Sequence, residues 1–275
     1  MKFAICNETF LDWPFDRAFA FAAECGYSGI EIAPFTMAAD AREVSAAQRS
    51  EVRRQAETAG LEVVGLHWLL AKTSGYYLTT PDEDVRRRTA AYIQELARLC
   101  RDLGGSKMVF GSPQQRNILP GVTPEQAMNF AAEVLIETLP VLEETGVTLC
   151  MEPLAPADGN FLNTAADAVQ LIEQVAHPNC RLILDCKAMS SEPTPIPELI
   201  RRHRQLMAHF HANDPNLQGP GFGELDFVPI FAALGEVDYR GWVSVEVFDY
   251  TPGVERLAKE SIENMNDALA ELAEQ

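Results

Sequence analysis

The chain has 275 residues, 47% of them hydrophobic and 23% charged, with 17 glycines and 17 prolines; this globular composition excludes wholesale disorder, collagen and coiled coil. Lys and Arg number 22 against 40 Asp and Glu, a formal net charge of −18, so a nucleic-acid or membrane partner is not expected. The six cysteines form no C-x-x-C pair, the apolar run before Asn7 and Glu8 is too short for a signal peptide, and no stretch approaches ~18 apolar residues, which together predict a cytoplasmic protein with reduced thiols.

Short β-like runs alternate with longer helical patterns. A strand over Lys2–Asn7 leads to a helix over Phe15–Cys25, then Gly29–Ala33 to Ser45–Ala59, and Glu62–His67 to Asp84–Leu103. Lys107–Gly111 precedes a helix over Thr123–Thr145, Val147–Glu152 one over Thr164–Val175, and Arg181–Asp185 one over Pro197–His203. Met207–Ala212 leads to Val228–Leu234, and Trp242–Val247 to a last helix over Val254–Ala273. Ser45, Thr123 before Pro124, and Thr164 read as N-caps, and Gly26, Gly60, Gly104 and Gly146 as stops. Eight strand–helix units without a composition break predict one (β/α)8 TIM barrel spanning 1–275 as a single domain. The competitor is an open doubly wound sheet, against which the first strand lacks a G-x-G-x-x-G turn.

The strands of a parallel barrel should be nearly all apolar, yet the later ones alternate. Thr148, Cys150 and Glu152 oppose Val147, Leu149 and Met151; Ile183 and Asp185 oppose Leu182 and Leu184. His209 and His211 oppose Phe210 and Ala212, and Ser244 and Glu246 oppose Val243, Val245 and Val247. With the apolar set against the helices, Glu152, Asp185, His211 and Glu246 point inward at one mouth, spaced by 33, 26 and 35 residues, about one βα repeat each. Three carboxylates there cannot all ionise unaided. A divalent cation removes the conflict, and three carboxylates with one imidazole suit Mn²⁺, Mg²⁺ or Co²⁺ better than Zn²⁺.

Weaker candidates surround this set. His67, beside Trp68, can reach a sugar hydroxyl from strand three, and Glu31 is an inward acid on strand two. Gln114 and Arg116 lie in the loop after strand four, and Asn213 opens the loop after strand seven as a substrate contact. His209 lies one inward position below His211. Lys187 shares the parity of Asp185, where it can neutralise an enolate, move a proton or form a Schiff base. The run Gly219-Pro220-Gly221-Phe222-Gly223 offers a phosphate cradle or a plain turn.

Glu152-Pro153-Leu154, Leu184-Asp185, His209-Phe210-His211 and Val245-Glu246 together resemble the xylose-isomerase-like TIM-barrel superfamily, in particular its sugar isomerase/epimerase branch with the D-tagatose and D-psicose 3-epimerases. The resemblance covers essentially the whole chain. It implies a divalent metal, Mn²⁺ foremost, held at Glu152, Asp185, His211 and Glu246, with Glu152 and Glu246 as the paired acid and base on a bound sugar. It also implies dimers or tetramers. Where those epimerases carry a substrate-binding glutamate, histidine and arginine, this chain has Asp158, Ala188 and Leu217. Endonuclease IV shares the fold but needs more ligands and a DNA-binding surface, against which the charge argues.

The expected chemistry is proton transfer next to a carbonyl through a cis-enediolate, on a ketose or aldose that is free, phosphorylated or oxidised. The runner-up is a dehydratase of a keto-sugar or keto-inositol. A Lys187 Schiff-base aldolase and a non-catalytic sugar-binding barrel complete the alternatives.

Overall fold

The computed structural model describes residues 1–274; Gln275, the last residue of the expected domain, lies outside them. Eight parallel strands close in sequence order: β1 (Lys2–Cys6), β2 (Gly29–Ile32), β3 (Glu62–Leu66), β4 (Lys107–Phe110), β5 (Thr148–Met151), β6 (Cys180–Asp185), β7 (Met207–Ala212) and β8 (Trp242–Val245), with β8 pairing back onto β1. The open-sheet alternative is excluded. Around them run α1 (Phe15–Cys25), α2 (Ala46–Ala59), α3 (Glu83–Leu103), α4 (Pro124–Thr145), α5 (Ala165–Val175), the short α6 (Cys186–Met189), α7 (Ile196–His203), α8 (Val228–Glu236) and α9 (Val254–Glu274).

Local chemistry sets these boundaries. Ser45, Thr123 and Thr164 each accept the backbone N–H three residues on, and each closes a capping box, with Gln48, Gln126 and Asp167 respectively. Gly26, Gly60, Gly104 and Gly146 end α1, α2, α3 and α4 in the left-handed conformation. Several short elements lie outside the sequence pattern, two of them next to the site. A 3-10 turn over Asn7–Phe10 follows β1, and α6 begins directly at the end of β6, with Asp185 accepting the Ala188 N–H at 2.7 Å as its cap.

The alternation places the core in two layers. Leu149, Met151, Leu182, Leu184, Phe210, Val243 and Val245 join the helices in the main hydrophobic cluster. Inside the barrel Val109, Cys150 and Ile183 form a small separate plug, with Ala208 against it. Register shifts lie between Ile30 and Glu31 on β2 and between Leu182 and Ile183 on β6. The second pairs Ile183 with His209 and Asp185 with His211, so both histidines face the interior. All six cysteines are unpaired, and no described helix is long and apolar enough to cross a membrane.

Candidate active site

Glu152, Asp185, His211 and Glu246 come from the ends of four consecutive strands, β5 to β8. Each offers a ligand atom within 4.8 Å of the others', and all four residues are buried. His211 Nδ1 lies 3.0 Å from Glu246 Oε2, 3.6 Å from Glu152 Oε1 and 4.0 Å from Asp185 Oδ2. The three carboxylates line a cavity of about 420 Å³ at the C-terminal face of the barrel.

Neighbouring groups fix the orientation of three of the four donors. Asp185 spends Oδ1 on the Ala188 N–H and receives at Oδ2 the Asn213 amide at 2.6 Å, while Asn213 Oδ1 accepts the Lys187 N–H. Glu31, fully buried, lies 3.4 Å from His211 Nε2 and 2.8 Å from His209 Nε2. Glu152 presses against bare backbone: a Cβ on Gly111 would stand 1.7 Å from its Oε2.

The electrostatics match this crowding. Burial first, then the Glu152 and Glu246 charges, push Asp185 up to about 7. Burial works against a charge on His211, but Glu246 and Glu31 override it and hold the imidazole well above its ordinary value. Glu31 is drawn well below the usual carboxylate range by His209 and His211 despite burial, which itself lowers His209. This crowding favours the protonated forms of Asp185 and His211. Three oxygen donors and one imidazole, with Asp185, His211 and Glu152 each held by a hydrogen bond or a close backbone, fit a hard divalent ion, which would relieve that repulsion.

The remaining candidates separate by position. Gln114, Asp158 and Lys187 line the cavity with Trp68, Leu217 and Phe248. Lys187 Nζ donates to Asp158 Oδ2 at 2.6 Å and lies 5.0 Å over the Phe248 ring. Burial opposes its charge, but the bond to Asp158 keeps the ammonium above its ordinary value. Asn213 is fully buried against Asp185 rather than on the cavity wall. His67 is also fully buried, its Nε2 2.5 Å from Glu8 Oε2. Arg116 belongs to the framework, its guanidinium donating to the carbonyls of Phe110, Phe161 and Leu162, with burial lowering it to about 10. The Gly219–Gly223 run is packed against α9: a Cβ on Gly219 would meet Ser261 Oγ at 1.9 Å and one on Gly221 would meet Asn264.

Glu8 went unnoticed in the sequence. It lies in the 3-10 turn after β1, where all of Asn7–Phe10 is buried, so strand alternation does not reach it. Gly111 carried no signal, since a glycine's use is visible only when the neighbouring carboxylate is in place.

A sequence profile of the xylose isomerase-like TIM barrel family matches residues 19–268. The chain is 27% identical over 243 residues to a probable ketose 3-epimerase of Synechocystis, covering 86% of this chain and 79% of that one. It is 27% identical over 256 residues to the 3-dehydro-D-guloside 4-epimerase of Escherichia coli, covering 90% and 92%. The crystal structure of D-psicose 3-epimerase with D-tagatose from Clostridium cellulolyticum superposes with a TM-score of 0.85 at 22% identity, covering 98% of this chain and 99% of that one. These named relatives are sugar epimerases and hence isomerases. By profile match over most of its length and by its closed eight-stranded barrel, the chain belongs to the xylose isomerase-like TIM barrel family.

Proposed function

We propose that this chain is a divalent-metal-dependent sugar epimerase acting on a ketose, with Mn²⁺ as the preferred ion at Glu152, Asp185, His211 and Glu246. The observation that carries this reading is the pair of carboxylates, Glu152 and Glu246, lining one cavity from β5 and from beyond β8 with Asp185 between them in chain order. When bound, the cation supplies Lewis-acid polarisation of the sugar's carbonyl and adjacent hydroxyl. One of the two glutamates removes the proton from the carbon next to the carbonyl, leaving a cis-enediolate. The other returns a proton to the opposite face. Asn213 and Glu31 act as positioning residues, holding Asp185 and His211. Gln114, Asp158 and Lys187 supply polar contacts to the sugar from the wall.

The aldolase alternative fits poorly, because a Schiff base needs a neutral amine and Asp158 keeps Lys187 charged. Solvent isotope uptake tests the main reading. Mn²⁺-loaded protein in D₂O should convert a ketose to its epimer with one deuterium at the inverted carbon, and EDTA should stop it. Epimer without deuterium would sink the proton-transfer mechanism, and product lighter by one water would replace epimerase with dehydratase.

A further inference from the structure

A second cavity of about 630 Å³ opens beside the first, sharing Trp68, Lys72 and Phe248 with it. The seam is a stacked pair: the Trp68 and Phe248 rings lie 5.7 Å apart at 18°, joining the end of β3 to the end of β8. Trp68 holds a left-handed backbone with φ of 52°, a conformation a bulky residue keeps only when its surroundings demand it. The first cavity already lies within the ~300–1,000 Å³ of small-ligand pockets, so it can take a single sugar ring and leaves the second for something else.

The walls of the second cavity state what that is. Trp13, Phe35 and Tyr250 present aromatic surface, while Glu8 and Asp12 place carboxylates among them. Glu8 is 5% exposed, and its Oε1 has no hydrogen-bond partner. A purely apolar occupant would strip water from the Glu8 and Asp12 carboxylates at the wall and replace it with nothing polar. An anionic occupant would face Glu8 and Asp12, and among the described residues lining the cavity Lys72 is the one cation, lying 4.1 Å over the Phe35 ring. An uncharged pyranose satisfies both demands, since its C–H face stacks on aromatic rings and its hydroxyls donate to carboxylates.

We propose that the substrate is a ketose bearing a second, uncharged sugar ring, and that this cavity is the subsite for that ring. The inference rests on the epimerase reading above. Its probes are isomaltulose (a fructose carrying a glucosyl ring at its far end), free fructose, and fructose phosphorylated at the same position. With Mg²⁺-loaded protein, calorimetry should give at least about tenfold tighter binding of isomaltulose than of fructose. Saturation-transfer NMR should show contact at the glucosyl protons. Trp13→Ala, with Phe35→Ala as the second variant because Trp13 also packs on Phe10, should reduce that preference to near parity. Equal affinity, no saturation of the glucosyl ring, tighter binding of the phosphate ester, or no binding of isomaltulose would each overturn the subsite. Turnover in D₂O separates it from the parent reading: isomaltulose bound without deuterium uptake leaves the subsite and removes the epimerase, whereas fructose epimerised with no preference does the reverse.

Discussion

Replacing Gly111 by alanine separates the candidate metal site from the fold. The three nearest atoms a Cβ would meet there all belong to Glu152, at 1.7, 3.0 and 3.8 Å, so the carboxylate oxygen must retreat by about 1.7 Å to reach ordinary van der Waals contact near 3.4 Å. No backbone atom is among them, and Gly111 does not have a left-handed backbone, so folding should survive, with Tm falling by no more than a few degrees. The ligand set does not have that freedom. Disturbing a group that orients a metal ligand costs about 10–100-fold in affinity, or roughly 1.4–2.7 kcal/mol, and displacing Glu152 itself should reach the upper end. A misplacement of ~1 Å at the reacting carbon costs on the order of 100-fold in rate. Isothermal titration with Mn²⁺ and the D₂O assay read the two effects. Gly111→Ala with unchanged Mn²⁺ affinity, or with affinity lost only because the protein has unfolded, would refute the assignment of Glu152 as a ligand braced by that backbone.

Three other outcomes follow from the same geometry. Asn213→Ala removes the 2.6 Å donor to Asp185 Oδ2 and should weaken Mn²⁺ about 10–100-fold; unchanged affinity by titration would deny Asn213 a positioning role. Metal-free protein should lose thermal stability as pH rises from about 4 to 7, because native Asp185 holds its proton up to about 7 while the unfolded side chain releases it near 3.8, and should lose more above the ordinary histidine range as His211 gives up its proton. Saturating Mn²⁺ should flatten that slope, and a calorimetric Tm independent of pH without metal would contradict the crowding of charges. Arg116→Met should cost about 2–4 kcal/mol in urea unfolding, since the carbonyls of Phe110 and Phe161 lose their buried donor; a cost below ~0.5 kcal/mol would place Arg116 outside the framework.

The fold was readable because its signals are local and repeated. Side-chain caps at Ser45, Thr123 and Thr164 and left-handed glycines at Gly26, Gly60, Gly104 and Gly146 punctuate the chain residue by residue. The convergence of Glu152, Asp185, His211 and Glu246 followed from parity, which is absolute along a strand. What escaped the pattern depends on partners distant in sequence. Asn213 is committed to Asp185, 28 residues earlier, and His67 to Glu8, 59 residues earlier, so their types alone show only polarity. Arg116 reads as loop polarity until the carbonyls of Phe161 and Leu162 fold over it. The glycine run after β7 was ambiguous for the converse reason: close packing on α9 needs small residues as much as a phosphate does.

The placement of all four candidate ligands on β5 to β8 divides the barrel into halves with different tolerances for change. Much of the second cavity, including Glu8, Trp13 and Phe35, comes from the segments following β1 and β2, which hold none of those four residues. Substitutions and insertions in that first half can therefore alter what is admitted to the site while the reacting groups keep their positions. On the proposed function, such a barrel changes diet without relearning its chemistry, and exchanging the first half between relatives is the direct test of whether substrate preference travels with it.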